Sequence, residues 1–249
     1  MDMLSGKVAV VTGGSSGIGR ASAEALASEG AQVVVVGRRE ALARQVADEI
    51  GAGAVGIAAD VTQLADLQRL FADVKSRFGA LDVLVSSAGS TGGGPLQTCT
   101  EDAYDALMAL NVKSVFFTVQ QALPLLRDGG SIIVVGSVAD VITLQGGGVY
   151  CASKAALRAF VRVWASDLAP QGIRVNLLSP GITETPLLDT LQSTPASMAG
   201  FDHLIANRTA MKRRGRAEEV GAVAAFLASD KSSYMTGGVL YADGGMHNW

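Results

Sequence analysis

Histidine and cysteine are scarce in this chain of 249 residues, which contains two of each. The cysteines, Cys99 and Cys151, form neither a disulfide framework nor a metal-ligand spacing, and His203 and His247 lie far from both in sequence. We therefore expect no structural metal site. The absence of a histidine before position 203 also disfavours a Ser-His-Asp hydrolase, although chain order alone does not exclude one.

The chain also has no excess of basic residues, since it contains 20 Lys and Arg residues and 23 Asp and Glu residues, which gives a net charge of -3. Proteins that bind nucleic acid need a basic surface for the phosphate backbone, so we expect no nucleic-acid partner. No apolar run is long enough for a bilayer span, and residues 1–7 lack the basic segment and apolar stretch of a secretion signal. These absences predict a cytoplasmic protein without a membrane partner.

Apolar residues are abundant and recur in short runs. Hydrophobic residues make up 49% of the chain, which suffices for a sizeable core, and no linker divides it, so we expect a single domain over residues 1–249. Predicted strands at 7–11, 33–36, 54–59, 81–85, 132–135, 173–178 and 239–241 alternate with helices at 17–29, 40–50, 63–78, 101–127 and 149–168. Strands that are apolar throughout are typical of a parallel sheet covered on both faces. The pattern predicts an α/β fold, a doubly wound parallel sheet of about seven strands with ligands at the carboxyl ends of its strands.

The segment 186–216 breaks this alternation, because it mixes polar and apolar residues around Pro195 and Gly200 without a clean strand. We expect a partly helical insertion over the substrate site, and the alternative is a surface loop without a role. A hydrophobic substrate is favoured by its apolar members Leu187, Leu188, Leu191 and Met198.

A glycine-rich turn, Thr12-Gly13-Gly14-Ser15-Ser16-Gly17-Ile18-Gly19, joins the first strand to the first helix. A pyrophosphate needs main-chain N–H donors and a helix N-terminus at close range, which residues without a Cβ permit, so Gly13, Gly17 and Gly19 suit a dinucleotide. A tight connection without a ligand is the alternative interpretation of this turn.

The second strand ends at Gly37-Arg38-Arg39, where the ribose 2′ position of such a cofactor is expected. No carboxylate at Gly37 is available for a free 2′-hydroxyl, whereas the guanidinium of Arg38 can pair with a 2′-phosphate. The sequence therefore favours NADP(H) over NAD(H). The alternative is that both arginines are solvated charges at the start of a loop.

Tyr150 and Lys154 are four residues apart and share one face of a predicted helix. A phenol is a poor base near neutral pH, and a nearby ammonium favours the phenolate, so this pair is plausible acid–base chemistry. Ser137 ends the fifth predicted strand, at the edge where ligands bind, and its hydroxyl can orient a carbonyl. Asn111 interrupts an apolar helical stretch, where propensity does not favour an amide, which indicates a hydrogen-bonding role.

In this combination the sequence resembles the short-chain dehydrogenase/reductase family, in its single-domain NADP(H)-dependent type, over essentially the whole chain. The family's T-G-x-x-x-G-x-G reads Thr12 to Gly19, and its Asp after the third strand reads Asp60. Its Pro-Gly after the sixth strand reads Pro180-Gly181. The family's catalytic Asn, Ser, Tyr and Lys fall on Asn111, Ser137, Tyr150 and Lys154.

The resemblance implies a Rossmann-type fold in which Tyr150 exchanges the proton and Ser137 polarises the substrate oxygen. Lys154 would bind the nicotinamide ribose and lower the Tyr150 pKa, while Asn111 would hold a water that links Lys154 to solvent. Besides Tyr150 and Lys154, the residues expected to bind the cofactor are Gly13, Ser15, Ser16, Gly17, Ile18, Gly19, Arg38, Arg39, Asp60, Val61, Ser87, Ala88, Gly89, Pro180, Gly181, Thr183 and Thr185. Two positions depart from the family, because Ser86-Ser87 replaces its Asn-Asn, and Thr183 stands where an aliphatic residue is usual.

The sequence thus predicts an oxidoreductase that interconverts a ketone or other carbonyl and a secondary alcohol. A 3-oxoacyl thioester reductase with the same mechanism is the alternative, and a non-catalytic dinucleotide-binding regulator is an alternative of another class. An epimerase or dehydratase on this scaffold would show no net use of NADPH. The basic residues Arg213, Arg214 and Arg216 suit either an acidic carrier protein or a solvated face. By analogy with the family we expect a homotetramer, with residues 246–249 at a subunit interface.

Overall fold

The computed structural model describes residues 2–191 and 195–248. Its centre is a seven-stranded parallel sheet in the order β3-β2-β1-β4-β5-β6-β9. This topology confirms the predicted Rossmann-type doubly wound fold. The strands of the sheet are β1 Val8–Thr12, β2 Gln32–Gly37, β3 Val55–Ala58, β4 Leu81–Ser86, β5 Leu126–Val135, β6 Arg174–Pro180 and β9 Val239–Ala242.

The helices cover both faces of the sheet. They are α1 Gly17–Ser28, α2 Glu40–Ile50, α3 Leu64–Phe78, α4 Glu101–Met108, α5 Ser114–Ala122, α6 Gly148–Leu168, α7 Pro186–Leu191, α8 Pro195–Arg208 and α9 Ala217–Ala228. One core lies between the sheet and α3, α5 and α6, and the other lies between the sheet and α1, α2 and α9. Alternate strand residues enter opposite cores, which explains why the central strands are apolar throughout.

The predicted helix at 101–127 is wrong in its continuity and at its end. A π-helical turn, Ala109–Lys113, separates α4 from α5, and a 3-10 turn, Leu123–Leu125, follows α5. Pro124 lies in that last turn. Because proline lacks an N–H and disfavours helix in the residue before it, the regular helix ends at Ala122 and the chain enters β5.

The segment 186–216 contains α7 and α8 and ends in a short strand, β8 Gly215–Arg216, which pairs in parallel with β7 Thr183–Glu184. The helices agree with the expected partly helical insertion, whereas the two-residue strand β8 was not apparent from the sequence pattern. Residues 192–194, which fall in this segment, and Trp249 lie outside the described residues. Within the described part of the chain, no helix combines the length and the apolar character needed to cross a membrane.

Candidate active site

A cavity of about 310 Å³ lies at the carboxyl ends of β1, β4, β5 and β6. The residues that follow these four strands form its floor, because parallel strands deliver their carboxyl ends to one edge of the sheet. Lys154 is the one charged residue among the described residues that line the cavity. The rest of the wall combines main chain, hydroxyl groups and apolar side chains.

The glycine-rich turn leaves main chain exposed to this cavity. Gly13 adopts φ +68°, and a Cβ there would lie 2.8 Å from the main-chain nitrogen of Ala88. A Cβ at Gly19 would overlap the carbonyl of Gly13. Ser16 is the N-cap of α1 without a side-chain capping bond, and no acidic residue lies in the first turn. This helix N-terminus can therefore accept a phosphate group, which fits a dinucleotide.

The end of β2 carries the groups expected to distinguish NADP(H) from NAD(H). Gly37 packs against Ser15, whose Oγ would lie 2.6 Å from a Cβ at Gly37, so a larger side chain does not fit without a shift. Arg38 is exposed beyond this strand end. Asp60 follows the neighbouring β3, and its Oδ1 accepts hydrogen bonds from the Thr62 N–H at 3.0 Å and hydroxyl at 2.7 Å. The end of β2 itself thus carries the cation Arg38 and no carboxylate, while the Asp60 carboxylate after β3 is bonded to Thr62.

Tyr150 enters the cavity from the first turn of α6, and Ser137 enters it from the turn after β5. Burial raises the pKa of the Tyr150 phenol above its ordinary value, while the hydrogen bond with Ser137 acts in the opposite direction. The Ser137 hydroxyl also accepts a hydrogen bond from the Ala139 N–H at 3.2 Å. The phenol is therefore protonated near neutral pH and can donate a proton.

Lys154 lies one turn after Tyr150 and is almost fully buried. Its ammonium donates to the Val135 carbonyl at 3.2 Å and lies 5.9 Å from the centroid of the Tyr150 ring. Burial lowers the pKa of Lys154 to about 8. Lys154 is not among the groups that shift the pKa of Tyr150 here, so the lowering expected of Lys154 stays a prediction.

Asn111 lies behind the cavity, in the π-helical turn between α4 and α5. Its Oδ1 accepts a hydrogen bond from the Ser90 N–H at 2.9 Å, and its Nδ2 donates to the Ser90 carbonyl at 2.8 Å and to Ser153 Oγ at 3.0 Å. A Cβ at Gly89 would lie 3.3 Å from Asn111 Oδ1 and 3.5 Å from Lys154 Nζ. Gly89 therefore leaves space beside both polar groups. π-Turns often occur at functional sites, and this one explains an amide in an otherwise apolar helix.

The cavity brings together most, but not all, of the residues predicted for the site. Its lining includes the predicted residues Gly13, Ser16, Gly17, Ile18, Gly19, Ser87, Ala88, Gly89, Ser137, Tyr150, Lys154, Pro180, Gly181, Thr183 and Thr185. The predicted residues outside its lining are Ser15, Arg38, Arg39, Asp60, Val61 and Asn111. Arg38, Arg39, Asp60 and Val61 follow the ends of β2 and β3, which lie beyond β1 on the same sheet edge.

Sequence reasoning missed much of the apolar wall. Of the apolar residues named in advance, Leu187 and Leu188 line the cavity, Met198 does not, and the Leu191 side chain lies outside the described part of the chain. The missed apolar residues are Val135, Val138, Ile142, Leu144, Ile182, Pro186, Phe201, Leu204 and Met246. Phe201 and Leu204 share one face of α8, and this spacing was the available signal. Met246 is only 2% exposed in the chain itself, so its side chain is unavailable for the expected subunit contact.

The basic residues near α9 are engaged in ion pairs. Arg213 bonds both carboxylate oxygens of Glu219 at 2.8 Å, and Arg214 lies 3.1 Å from Asp202. Arg216 lies 3.4 Å from Glu219.

Across residues 2–191 and 195–248, no three His, Cys, Asp or Glu side chains come close enough together to hold a metal ion.

Known proteins resemble this chain over nearly its whole length. Residues 13–247 match the family model described as enoyl-(acyl carrier protein) reductase. The oxidoreductase asL5 of Sarocladium schorii is 40% identical over 245 residues, which cover 98% of this chain and 96% of that protein. The 3-oxoacyl-(acyl-carrier-protein) reductase FabG of Salmonella typhimurium is 35% identical over 244 residues, which cover 97% of this chain and 98% of FabG.

The similarity extends to solved structures. A short-chain dehydrogenase/reductase from Serratia marcescens matches with a TM-score of 0.91 at 38% identity, covering 98% of this chain and 99% of that one. The curated relatives are named oxidoreductases and reductases. The similarity therefore identifies an oxidoreductase with a nicotinamide cofactor and a small-molecule substrate, rather than a non-catalytic regulator.

Proposed function

This chain belongs to the short-chain dehydrogenase/reductase family, and on that basis we propose that it reduces a ketone with NADPH or oxidises the corresponding secondary alcohol with NADP⁺. The observation that carries the proposal is that Ser137, Tyr150 and Lys154 meet in one cavity beside a glycine-rich turn. Ser137 lies in the turn after β5, and Tyr150 and Lys154 lie on successive turns of α6. Secondary structure therefore fixes all three side chains in position for the reaction.

The three side chains have distinct roles in reduction. Tyr150 donates the proton to the carbonyl oxygen, because its raised pKa keeps the phenol protonated near neutral pH. Ser137 donates a hydrogen bond to the same oxygen, and the Lys154 ammonium compensates the phenolate that remains. The cofactor, when bound, supplies the hydride to the carbonyl carbon. Asn111 holds the main chain at Ser90, beside the space that Gly89 leaves open, and so positions this corner of the site.

The finer proposal is that the cofactor is NADP(H). Arg38 supplies a cation for the 2′-phosphate, and no described ion pair occupies it. Gly37 itself supplies no carboxylate for a free 2′-hydroxyl, and a Cβ at this position would require Ser15 Oγ to shift. Gly13 and Gly19 provide the close approach that the pyrophosphate needs.

The substrate half of the cavity favours an uncharged ketone with an apolar substituent. Leu144, Phe201, Leu204 and Met246 line it, and Lys154 is the one charged residue in the described part of the lining. A desolvated carboxylate or phosphate would be unpaired there. We propose that segment 186–216, which contributes Phe201 and Leu204, covers the substrate.

A 3-oxoacyl thioester is the second candidate substrate, since relatives of this chain are named 3-oxoacyl-(acyl-carrier-protein) reductases. An acidic carrier would need a basic docking surface. Arg213 and Arg216 share Glu219, and Arg214 pairs with Asp202, so two carboxylates offset two of the three positive charges. This observation favours free ketones over carrier-bound substrates.

We also propose a cytoplasmic homotetramer, in which α5 and α6 form one interface with a second copy of the chain. Phe116 is 37% exposed and Val163 is 57% exposed, and the Phe116 ring contacts a stacked pair, Phe160 and Trp164. Exposed apolar residues that continue an aromatic cluster are typical of an interface. Sedimentation should show a tetramer, and Val163→Asp should dissociate it; a monomeric wild-type protein contradicts the proposal.

The experiment that tests the function measures NADPH oxidation with apolar ketones, ketones that carry a carboxylate, and 3-oxoacyl thioesters. Tyr150→Phe should abolish turnover and retain NADPH binding, whereas Tyr104→Phe, a change in the exposed tyrosine of α4, should leave turnover unchanged. Turnover that survives in Tyr150→Phe contradicts the proposed proton donor. NADPH binding without reduction of any carbonyl contradicts the proposed reaction.

A further inference from the structure

A buried carboxylate lies directly beside the turn that carries Ser137. Asp140 ends this turn, and its N–H donates to the Ser137 carbonyl at 3.0 Å. Its side chain has no exposed surface, and neither carboxylate oxygen has a hydrogen-bond partner among the described residues. Burying a carboxylate without hydrogen bonds costs free energy, so such a group is expected where it contributes to function. Asp140 does not itself line the cavity.

The cation that faces Asp140 comes from the catalytic helix. Arg158 Nη1 lies 3.7 Å from Asp140 Oδ2. Tyr150, Lys154 and Arg158 follow at intervals of four residues on α6, so they share one face. The ion pair therefore joins the turn of Ser137 to the helix that supplies the proton.

The C-terminal segment reaches the same ion pair from the other side. Arg158 Nη1 lies 3.5 Å from the Tyr241 hydroxyl at the end of β9. The Tyr241 ring stacks on His247 with centroids 3.8 Å apart, and Nδ1 of His247 lies 2.8 Å from Asp243 Oδ2. Met246, next to His247, lines the cavity. Asp140 and these three groups, Arg158, Tyr241 and the Asp243–His247 pair, form what we call the Asp140 cluster.

We propose that Asp140 is a positioning residue that, through its ion pair with Arg158, holds the turn of Ser137 against the catalytic helix α6. The Tyr241–His247 stack extends this contact to the segment that carries Met246. The inference rests on the proposed function, because the geometry it maintains is that of carbonyl reduction. Small displacements of a reacting group lower the rate strongly, so a residue outside the cavity can control kcat.

The charge of Asp140 has opposite consequences for activity and for stability. Burial raises the pKa of Asp140, while the charges of Arg158 and His247 act in the opposite direction. The folded pKa lies above the unfolded one, so this group stabilises the fold fully below its ordinary pKa and loses that contribution as the pH rises through the folded pKa. The carboxylate, which is the form that pairs with Arg158, is thus held at a cost in stability.

The test compares Asp140→Asn, Arg158→Met and the double variant, with Arg162→Met, a change in an exposed arginine of α6, as the matched control. Asp140→Asn and Arg158→Met should each lower kcat about tenfold, equivalent to about 1.4 kcal/mol in the barrier, without changing the KM for NADPH. The double variant should lose no more activity than either single variant, because both changes remove the same contact. The acid limb of the kcat–pH profile should disappear in Asp140→Asn, and Arg162→Met should resemble the wild type.

Thermal unfolding separates positioning from a merely structural role. Asp140→Asn should keep or raise Tm despite its lower kcat. Arg158→Met should lower Tm by leaving a buried carboxylate unpaired, and adding Asp140→Asn should restore it. The inference would be overturned if Asp140→Asn left kcat unchanged, or if it lowered kcat and Tm together. It would also be overturned if the loss of kcat in the double variant were the product of the losses in the two single variants.

Failure of this inference is distinguishable from failure of the proposed function. If the wild type reduces none of the ketones, the proposed function fails, and the Tm values still test the contact. If the Tm changes of Asp140→Asn and Arg158→Met simply added in the double variant, the inference would then be overturned as well. Restored Tm in the double variant would support the contact between the turn and α6.

Discussion

The two halves of the cavity are built from different parts of the chain. On the side of the glycine-rich turn, the wall is main chain, formed by Gly13, Gly17 and the residues after β4 and β6. On the substrate side, the wall consists of apolar side chains such as Leu144, Phe201 and Met246, from three separate segments. The comparison indicates that the cofactor half tolerates little change, because a main-chain wall cannot repack, whereas the substrate half can change its specificity by single side-chain substitutions.

The largest effect is expected from Gly13→Val, which places a side chain in the main-chain wall. Overpacking costs roughly 1–3 kcal/mol. Holding valine in the left-handed conformation of Gly13 costs roughly a further 1–2 kcal/mol. We expect a lower Tm and loss of NADPH binding, measured by thermal unfolding and fluorescence titration. Gly200→Ala, in a helical position with open space around it, should leave both unchanged or slightly raise Tm. Equal NADPH affinity in Gly13→Val and the wild type contradicts a main-chain cofactor wall.

The next largest effect should follow from Arg38→Asp, which changes the cofactor half without changing its main chain. Losing a hydrogen-bonded cation costs roughly 1.5–3 kcal/mol, so NADPH affinity should fall by about one to two orders of magnitude. NADH affinity should rise at the same time, which titration with both cofactors measures. Arg162→Asp, in an exposed position of α6, serves as the control. If the preference for NADPH survives, Arg38 does not bind the 2′-phosphate.

A smaller effect is expected in the substrate half from Phe201→Ala. Removing an aromatic wall should lower kcat/KM for bulky apolar ketones by about tenfold, because pocket contacts of this size contribute about 1–3 kcal/mol. The NADPH dissociation constant should stay unchanged. Met198→Ala provides a matched change on the same helix, since Met198 is exposed and lies outside the cavity lining. A change in NADPH binding instead of ketone selectivity would show that the two halves are not separate.

The smallest effect is a pH dependence that originates between the two halves, at Lys154. Burial lowers its pKa to about 8, so the ammonium is lost as the pH rises through that value. Because kcat/KM for NADPH reports groups of the free enzyme, it should fall through the same range. Lys154→Arg, which stays charged, should show a flat profile there at a lower rate. A wild-type profile that is flat through this range would contradict the assignment.

Sequence patterns alone determined the fold, because the signals for it are local. Apolar strands such as β1 and β2 predict a buried parallel sheet, and α2 has the predicted bounds. The glycine-rich turn and the end of β2 follow directly from strands, so the sheet edge to which they belong could be predicted. The helix at 101–127 was not delimited in the same way: its end follows from Pro124, a local signal, whereas its π-turn contains Asn111, whose partners Ser90 and Ser153 are distant in sequence.

Tertiary structure alone decided the substrate wall and the Asp140 cluster. Met246 lines the cavity and Asp140 does not, although Asp140 lies three residues from Ser137 and Met246 lies near the C-terminus. No local pattern pairs Asp140 with Arg158 or stacks Tyr241 on His247, because these contacts arise where β9, α6 and the turn after β5 pack together. The sequence determines structure locally through hydrogen bonding and apolar periodicity, while contacts between distant segments depend on how the completed elements pack.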